Sequence, residues 1–181
     1  MTLLRDDIKE ILYNEEQLRK KIKEIGKKIS EDYEGKELVL VGILKGSVPF
    51  MADLIKEIQI PCTMDFMAVS SYGNSTKTSG VVRILKDLDF QIENKDILLV
   101  EDIIDSGVTL SYLMDYLKRR NPSSINIACL LNKPERRKAE ISAKYIGFDV
   151  PDYFLVGYGL DYAEKYRNLP YVGILKEEIY S

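Results

Sequence analysis

Residues 97–100, Ile-Leu-Leu-Val, form an unbroken apolar run. A strand buried on both faces of a parallel sheet reads this way. Residues 38–44 and 125–131 have the same character, and 63–69 and 81–85 also read as strands. Shorter strand candidates lie at 145–148, 153–156 and 171–175. Between them the apolar period changes to that of a helix. Leu18, Ile22, Ile25 and Ile29 mark one such face, with Asn14 and Gln17 spaced as a capping box and Gly35 near its close. Met51, Leu54, Ile55 and Ile58 mark a second, with Pro49 in its first turn. Leu110, Leu113, Met114 and Leu117 mark a third, which Arg119 and Arg120 finish before Asn121-Pro122 stops it. Residues 1–13 carry no clear period. Strands alternating with helices predict a single α/β domain over 1–181, a mostly parallel sheet flanked by helices.

In such a sheet, ligands bind outside the carboxyl ends of the strands. After the 97–100 run come two carboxylates, Glu101 and Asp102, then Ile103-Ile104 and the turn Asp105-Ser106-Gly107-Val108-Thr109. A turn leading into a helix start offers backbone N–H groups and a positive dipole end to a phosphate. The three acids would repel a polyphosphate. A ligand with a phosphate at one end and hydroxyls or a metal beside it satisfies both, and a ribose 5-phosphate is such a ligand. The plainer reading is a solvated turn capped by Asp105 or Ser106. Neither a Walker loop nor a G-x-G-x-x-G fingerprint is present.

A second strand–turn–helix passes through Lys45-Gly46-Ser47, either an anion site or a plain cap by Ser47. Residues 70–80, SSYGNSTKTSG, form a long polar loop between strands, either a mobile lid or an idle hairpin tip. Lys133 follows a buried strand on the ligand side of the sheet. Arg136, Arg137 and Lys138 read as a solvated turn. Gly157-Tyr158-Gly159-Leu160-Asp161-Tyr162 is a glycine-bent turn carrying an acid.

Composition narrows the chemistry. The chain has 181 residues, 45% apolar and 30% charged, with a formal net charge of −3. That balance argues against nucleic acid or membrane surfaces as partners. No apolar run reaches the length of a bilayer span and no signal peptide is expected. Histidine is absent, so acid–base work falls to Asp, Glu, Lys or Tyr. Cys62 and Cys129 lie in strand-like stretches and read as buried free thiols of a reducing compartment.

The 100–109 stretch resembles the phosphoribosyl-pyrophosphate (PRPP) motif of the type I phosphoribosyltransferases. Taken with Leu44-Lys45-Gly46-Ser47, Ser71-Tyr72, Lys133-Pro134, Ile146-Gly147-Phe148, Pro151-Asp152 and the stretch 157–170, the chain is similar over nearly its whole length to bacterial hypoxanthine-guanine phosphoribosyltransferases. That resemblance implies transfer of phosphoribosyl from PRPP to hypoxanthine or guanine with Mg2+, in a fold with a small hood from the N- and C-terminal segments. It implies that Asp105, Ser106, Gly107, Val108 and Thr109 hold the 5-phosphate. Glu101 and Asp102 hold the ribose hydroxyls and a magnesium ion. Asp105 is the general base at purine N7. Lys133 donates to the purine 6-oxygen, Phe154 stacks on the base, and the Leu155 backbone meets its other edge. Asp161 binds a second magnesium. Lys45, Gly46 and Arg167 hold pyrophosphate, Ser71 and Tyr72 ride the lid, and the peptide before Lys45 is often cis. A cytoplasmic homodimer or homotetramer is implied too. Ser47 and Val108 depart from the residues some relatives carry, at positions that act through the backbone. The rivals are a nucleotide-sensing regulator, a transferase for another base, and a structural α/β protein.

Overall fold

The computed structural model describes residues 4–71 and 82–181. After a short 3-10 turn come β1 (Ile8–Tyr13), α1 (Glu15–Asp32), β2 (Leu38–Leu44), α2 (Val48–Glu57), β3 (Cys62–Ser71) and β4 (Val82–Lys86). Then follow β5 (Asp96–Ile104), α3 (Val108–Lys118), β6 (Ser124–Asn132), β7 (Tyr145–Asp149), β8 (Leu155–Val156), β9 (Val172–Leu175) and α4 (Glu177–Tyr180).

The main sheet has the order β4-β3-β2-β5-β6-β7. All its neighbours are parallel except β4, which pairs antiparallel at one edge. Strand alternation explains the unbroken apolar runs. Leu38, Leu40, Leu98 and Val100 face Leu18, Ile22, Ile25 and Ile29 of α1 and Phe50, Met51 and Leu54 of α2. Their sequence neighbours Val39, Val41, Ile97 and Leu99 pack with Leu110, Leu113 and Leu117 of α3. Both faces are dry, and each such side chain contributes about 1.5–3 kcal/mol on burial.

The predicted capping box forms: the Asn14 side chain accepts from Gln17 N–H at 2.9 Å, and Gln17 returns the bond at 2.9 Å. Helix α1 stops at Asp32, ahead of Gly35 with its φ of +74°. Residues 8–13, which carry no clear period, form a strand: β1 pairs antiparallel with β9, which pairs with β8 to make a small second sheet, the expected hood. Two expectations need correction. Strand β5 does not end at Val100; its ladder with β6 continues through Ile104, so Glu101 and Asp102 are strand residues. Helix α3 ends at Lys118 with Arg119 as its C-cap, so Arg120 lies beyond it and pairs with Asp87 instead.

Asp65, 7% exposed on β3, anchors the β3–β4 ribbon. It accepts N–H bonds from Phe66 at 2.7 Å and Asp89 at 2.8 Å, and Lys86 Nζ lies 3.2 Å away. Burial pushes its pKa up, but these donors outweigh burial and hold it below the usual carboxylate range. Asp65→Ala is therefore expected to lower unfolding free energy by about 1.5–3 kcal/mol at pH 7. A depressed native pKa contributes above the unfolded value, near 4, and is lost as pH falls through the native one. Urea melts from pH 7 to pH 3 should show the two proteins converging; a constant gap would refute the ionic origin.

Candidate active site

The carboxyl ends of β2 and β5 lie side by side, and each feeds a turn and then a helix. The Leu44–Lys45 peptide is cis. Gly46 passes against Asp102: a Cβ there would sit 1.8 Å from Asp102 Oδ2. Gly159 of the hood, at φ +99°, in turn packs on Gly46, where a Cβ would lie 2.0 Å from the Gly46 carbonyl oxygen. No side chain fits at Gly159, which lies on Gly46 backbone, and one at Gly46 would push the Asp102 carboxylate aside.

Helix α3 starts from Gly107, at φ +78°, and no side chain caps it. Asp105 and Ser106 do not serve as caps; Ser106 Oγ reaches Val108 N–H only at 3.4 Å. The first turn thus presents its N–H groups to a cavity of about 280 Å³ that also takes in Glu101, Asp102 and Thr109. Ser47 likewise makes no side-chain cap bond on α2, which removes the plain-cap reading of that turn. Burial pushes the Glu101 carboxyl well above its usual range, and the neighbouring Asp102 charge adds to this. Burial also pushes Asp102 up, to about 6, against the opposing Ile103 N–H bond at 2.8 Å. Two adjacent carboxylates that resist ionising alone are a donor set suited to a divalent cation.

A second cavity, about 580 Å³, opens on the other side of Asp102 and Asp105. Lys133, 7% exposed, projects into it from just past β6. Its ammonium donates to the Tyr153 carbonyl at 2.6 Å and to Asp152 Oδ1 at 3.3 Å. Arg136 closes a chain of charges: its Nε lies 2.8 Å from Asp105 Oδ1 and its Nη1 3.2 Å from Asp152 Oδ1. The Arg136 hydrogen bond, with that of Lys133, holds the Asp152 carboxyl below its usual range. Phe154 stacks on Tyr180 at 4.6 Å and meets Tyr162 edge-on at 5.5 Å. The Leu155 side chain is buried, so only its backbone is offered to a ligand.

The hood brings a third group over the β2 turn. Arg167 Nη1 donates to the Gly159 carbonyl at 2.7 Å, and Nη2 lies 2.8 Å from Asp161 Oδ1. The other Asp161 oxygen accepts the Glu164 N–H at 2.9 Å. Glu164 reaches Lys45 Nζ at 2.9 Å.

The residues singled out from the chain therefore gather around two connected cavities and their rim. Ser71 ends β3, whereas Tyr72 and most of the expected lid, 70–80, lie outside the described residues. Among the described residues no three metal-ligating side chains converge, so a cation here would complete its shell from substrate or water. Sequence reasoning gave no role to Tyr180, none to Glu164 although it lies in the 157–170 stretch, and none to Asp152 beyond the Pro151-Asp152 motif. Arg136, read as solvated, is half exposed and still pairs with Asp105 and Asp152.

The sequence profile of the phosphoribosyl transferase domain family matches residues 9–163. Hypoxanthine-guanine phosphoribosyltransferase of Bacillus subtilis is 55% identical over 178 residues, covering 98% of this chain and 99% of the relative. The Streptococcus agalactiae serotype V protein of the same name is 56% identical over 179 residues, 99% of each chain. A crystal structure of a Staphylococcus aureus hypoxanthine phosphoribosyltransferase superposes with a TM-score of 0.96 at 53% identity, over 99% of this chain and 98% of that one. The chain belongs to the hypoxanthine-guanine phosphoribosyltransferases.

Proposed function

We propose that this chain transfers the 5-phosphoribosyl group of PRPP to hypoxanthine and guanine, releasing pyrophosphate and forming the nucleoside 5′-monophosphate. One observation carries this reading: the two cavities meet at Asp102 and Asp105, one running to the α3 start and the other to Lys133. A ribose 5-phosphate spans that junction, with its phosphate on residues 105–109 and its anomeric carbon toward the second cavity.

In this reading Glu101 and Asp102 would hold the ribose hydroxyls and a magnesium ion, and Asp161 would hold a second ion on the pyrophosphate side. Magnesium held there would supply positive charge to the departing pyrophosphate. Lys45 and Arg167 add positive charge there, and Gly46 offers its backbone to the same oxygens. Asp105 takes the proton from purine N7 as the new bond forms at the ribose. Lys133 donates to the 6-oxygen, Phe154 offers its ring to the base, and the Leu155 backbone meets the far edge. The reacting centre is oxocarbenium-like and must be kept from water. In this reading that protection falls to the polar loop 70–80, with Ser71 and Tyr72. Assembly as a homodimer or homotetramer and a cytoplasmic location belong to the same reading, in keeping with the free thiols Cys62 and Cys129.

Pyrophosphate release from PRPP, followed with and without magnesium across a panel of bases, tests this. Release is expected with hypoxanthine and guanine and only with magnesium. Release with pyrimidines, or with no base in the panel, overturns it.

A further inference from the structure

We infer that Glu164 is a built-in stand-in for the leaving group, a carboxylate that occupies the two pyrophosphate-holding cations until an anion displaces it. The inference rests on the pyrophosphate reading above.

Each Glu164 oxygen takes a different cation: Oε2 lies 2.9 Å from Lys45 Nζ, and Oε1 lies 3.3 Å from Arg167 Nη2. Lys45 and Glu164 are 119 residues apart, on the sheet and the hood respectively. The bridge is solvent-facing, with the Lys45 and Glu164 side chains 68% and 65% exposed. Its geometry is nevertheless built rather than incidental. Ala163, Glu164 and Tyr166 have φ of +50°, +62° and +76°, a backbone region that L-residues avoid. The loop holds this shape through the Asp161 bond to the Glu164 N–H and a short bridge between Tyr162 and Lys165. The strained loop aims one carboxylate at the two cations. Arg167 itself stays fixed by Gly159 and Asp161 when Glu164 lets go.

A plain surface ion pair of this exposure contributes little to stability. Its consequence for an arriving anion is different. Pyrophosphate must displace the carboxylate and also endure its charge. Glu164 therefore weakens the hold on pyrophosphate and favours its departure. It acts as a positioning residue that holds Lys45 and Arg167 in place, without touching the reacting atoms.

The test is calorimetric titration of the full chain with inorganic pyrophosphate, with and without magnesium, at one low ionic strength, because salt screens such exposed charges. Glu164→Gln is expected to tighten binding about threefold to tenfold, the range of one or two exposed charge pairs. Glu164→Asn, which tolerates positive φ better, should do the same with an unchanged melting midpoint. Unchanged or weaker binding in both variants overturns the inference, as does weakening confined to the magnesium titration, which would make Glu164 a cation ligand. Lys45→Ala and Arg167→Ala report on the site itself and should weaken pyrophosphate. If they do so while Glu164→Gln is neutral, the stand-in fails and the site reading survives. If they do not, the site reading fails.

Discussion

Asp105→Asn is expected to lower turnover by about 10²–10⁴-fold, the range of general base catalysis, while PRPP affinity stays within a few-fold. Asp105 follows the last residue of β5 and precedes the uncapped start of α3, so its position is set by two rigid elements. It is the carboxylate shared by both cavities that also contacts a cation, Arg136, at 2.8 Å. Asparagine keeps its shape and leaves the backbone N–H groups of the turn in place, so phosphate binding is retained. It cannot accept the purine proton. Single-turnover kinetics with hypoxanthine isolates the chemical step. An unchanged rate in that step would remove Asp105 from the role.

Activity with hypoxanthine and guanine but almost none with adenine is the second expected result, and it depends on Lys133. An ammonium carries three donors and no acceptor. In the protein as it stands, the Tyr153 carbonyl and Asp152 take its bonds in a nearly dry position. A 6-oxopurine offers an oxygen to a remaining donor. Adenine places an amino group at the same point, donor against donor. With adenine that remaining donor goes unmet in a nearly dry site, and an unmet charged donor costs more than the roughly 1–3 kcal/mol of a neutral one. Sites built on one such bond reject the wrong analogue by about 10⁴–10⁵-fold. Lys133→Ala should lose most 6-oxopurine activity and shrink the gap to adenine. The measurement is kcat/KM for each base at saturating PRPP and magnesium. Adenine use within tenfold of hypoxanthine by the unmutated protein would sink this role for Lys133.

Both results draw on residues that could be located along the chain before any coordinates, because their signals are local. A strand buried on both faces must be continuously apolar, so 97–100 marked β5. A helix start must follow close behind, so the phosphate-facing turn at 105–109 was visible, as was the capping box at Asn14. Lys133 could be placed because it directly follows such a strand. The amino-acid sequence by itself thus determined the alternating α/β plan and the positions of two turns on one edge of the sheet.

Tertiary structure decided the rest, for reasons that lie in contacts between distant segments. β1 is half exposed and has no strong period of its own; it is a strand because β9, more than 150 residues later, supplies its hydrogen bonds. β5 outlasts its apolar run because ladder bonds to β6 involve backbone alone and do not register that residues 101 and 102 are acids. Gly159 matters because the hood settles onto the β2 turn at a distance no Cβ survives, and Gly46 because Asp102 of β5 lies against it. Arg136, Asp152 and Glu164 look like ordinary surface charges in one dimension. Folding brings them against Asp105, Lys133 and Lys45, and a charge takes its meaning from the partner that packing sets beside it.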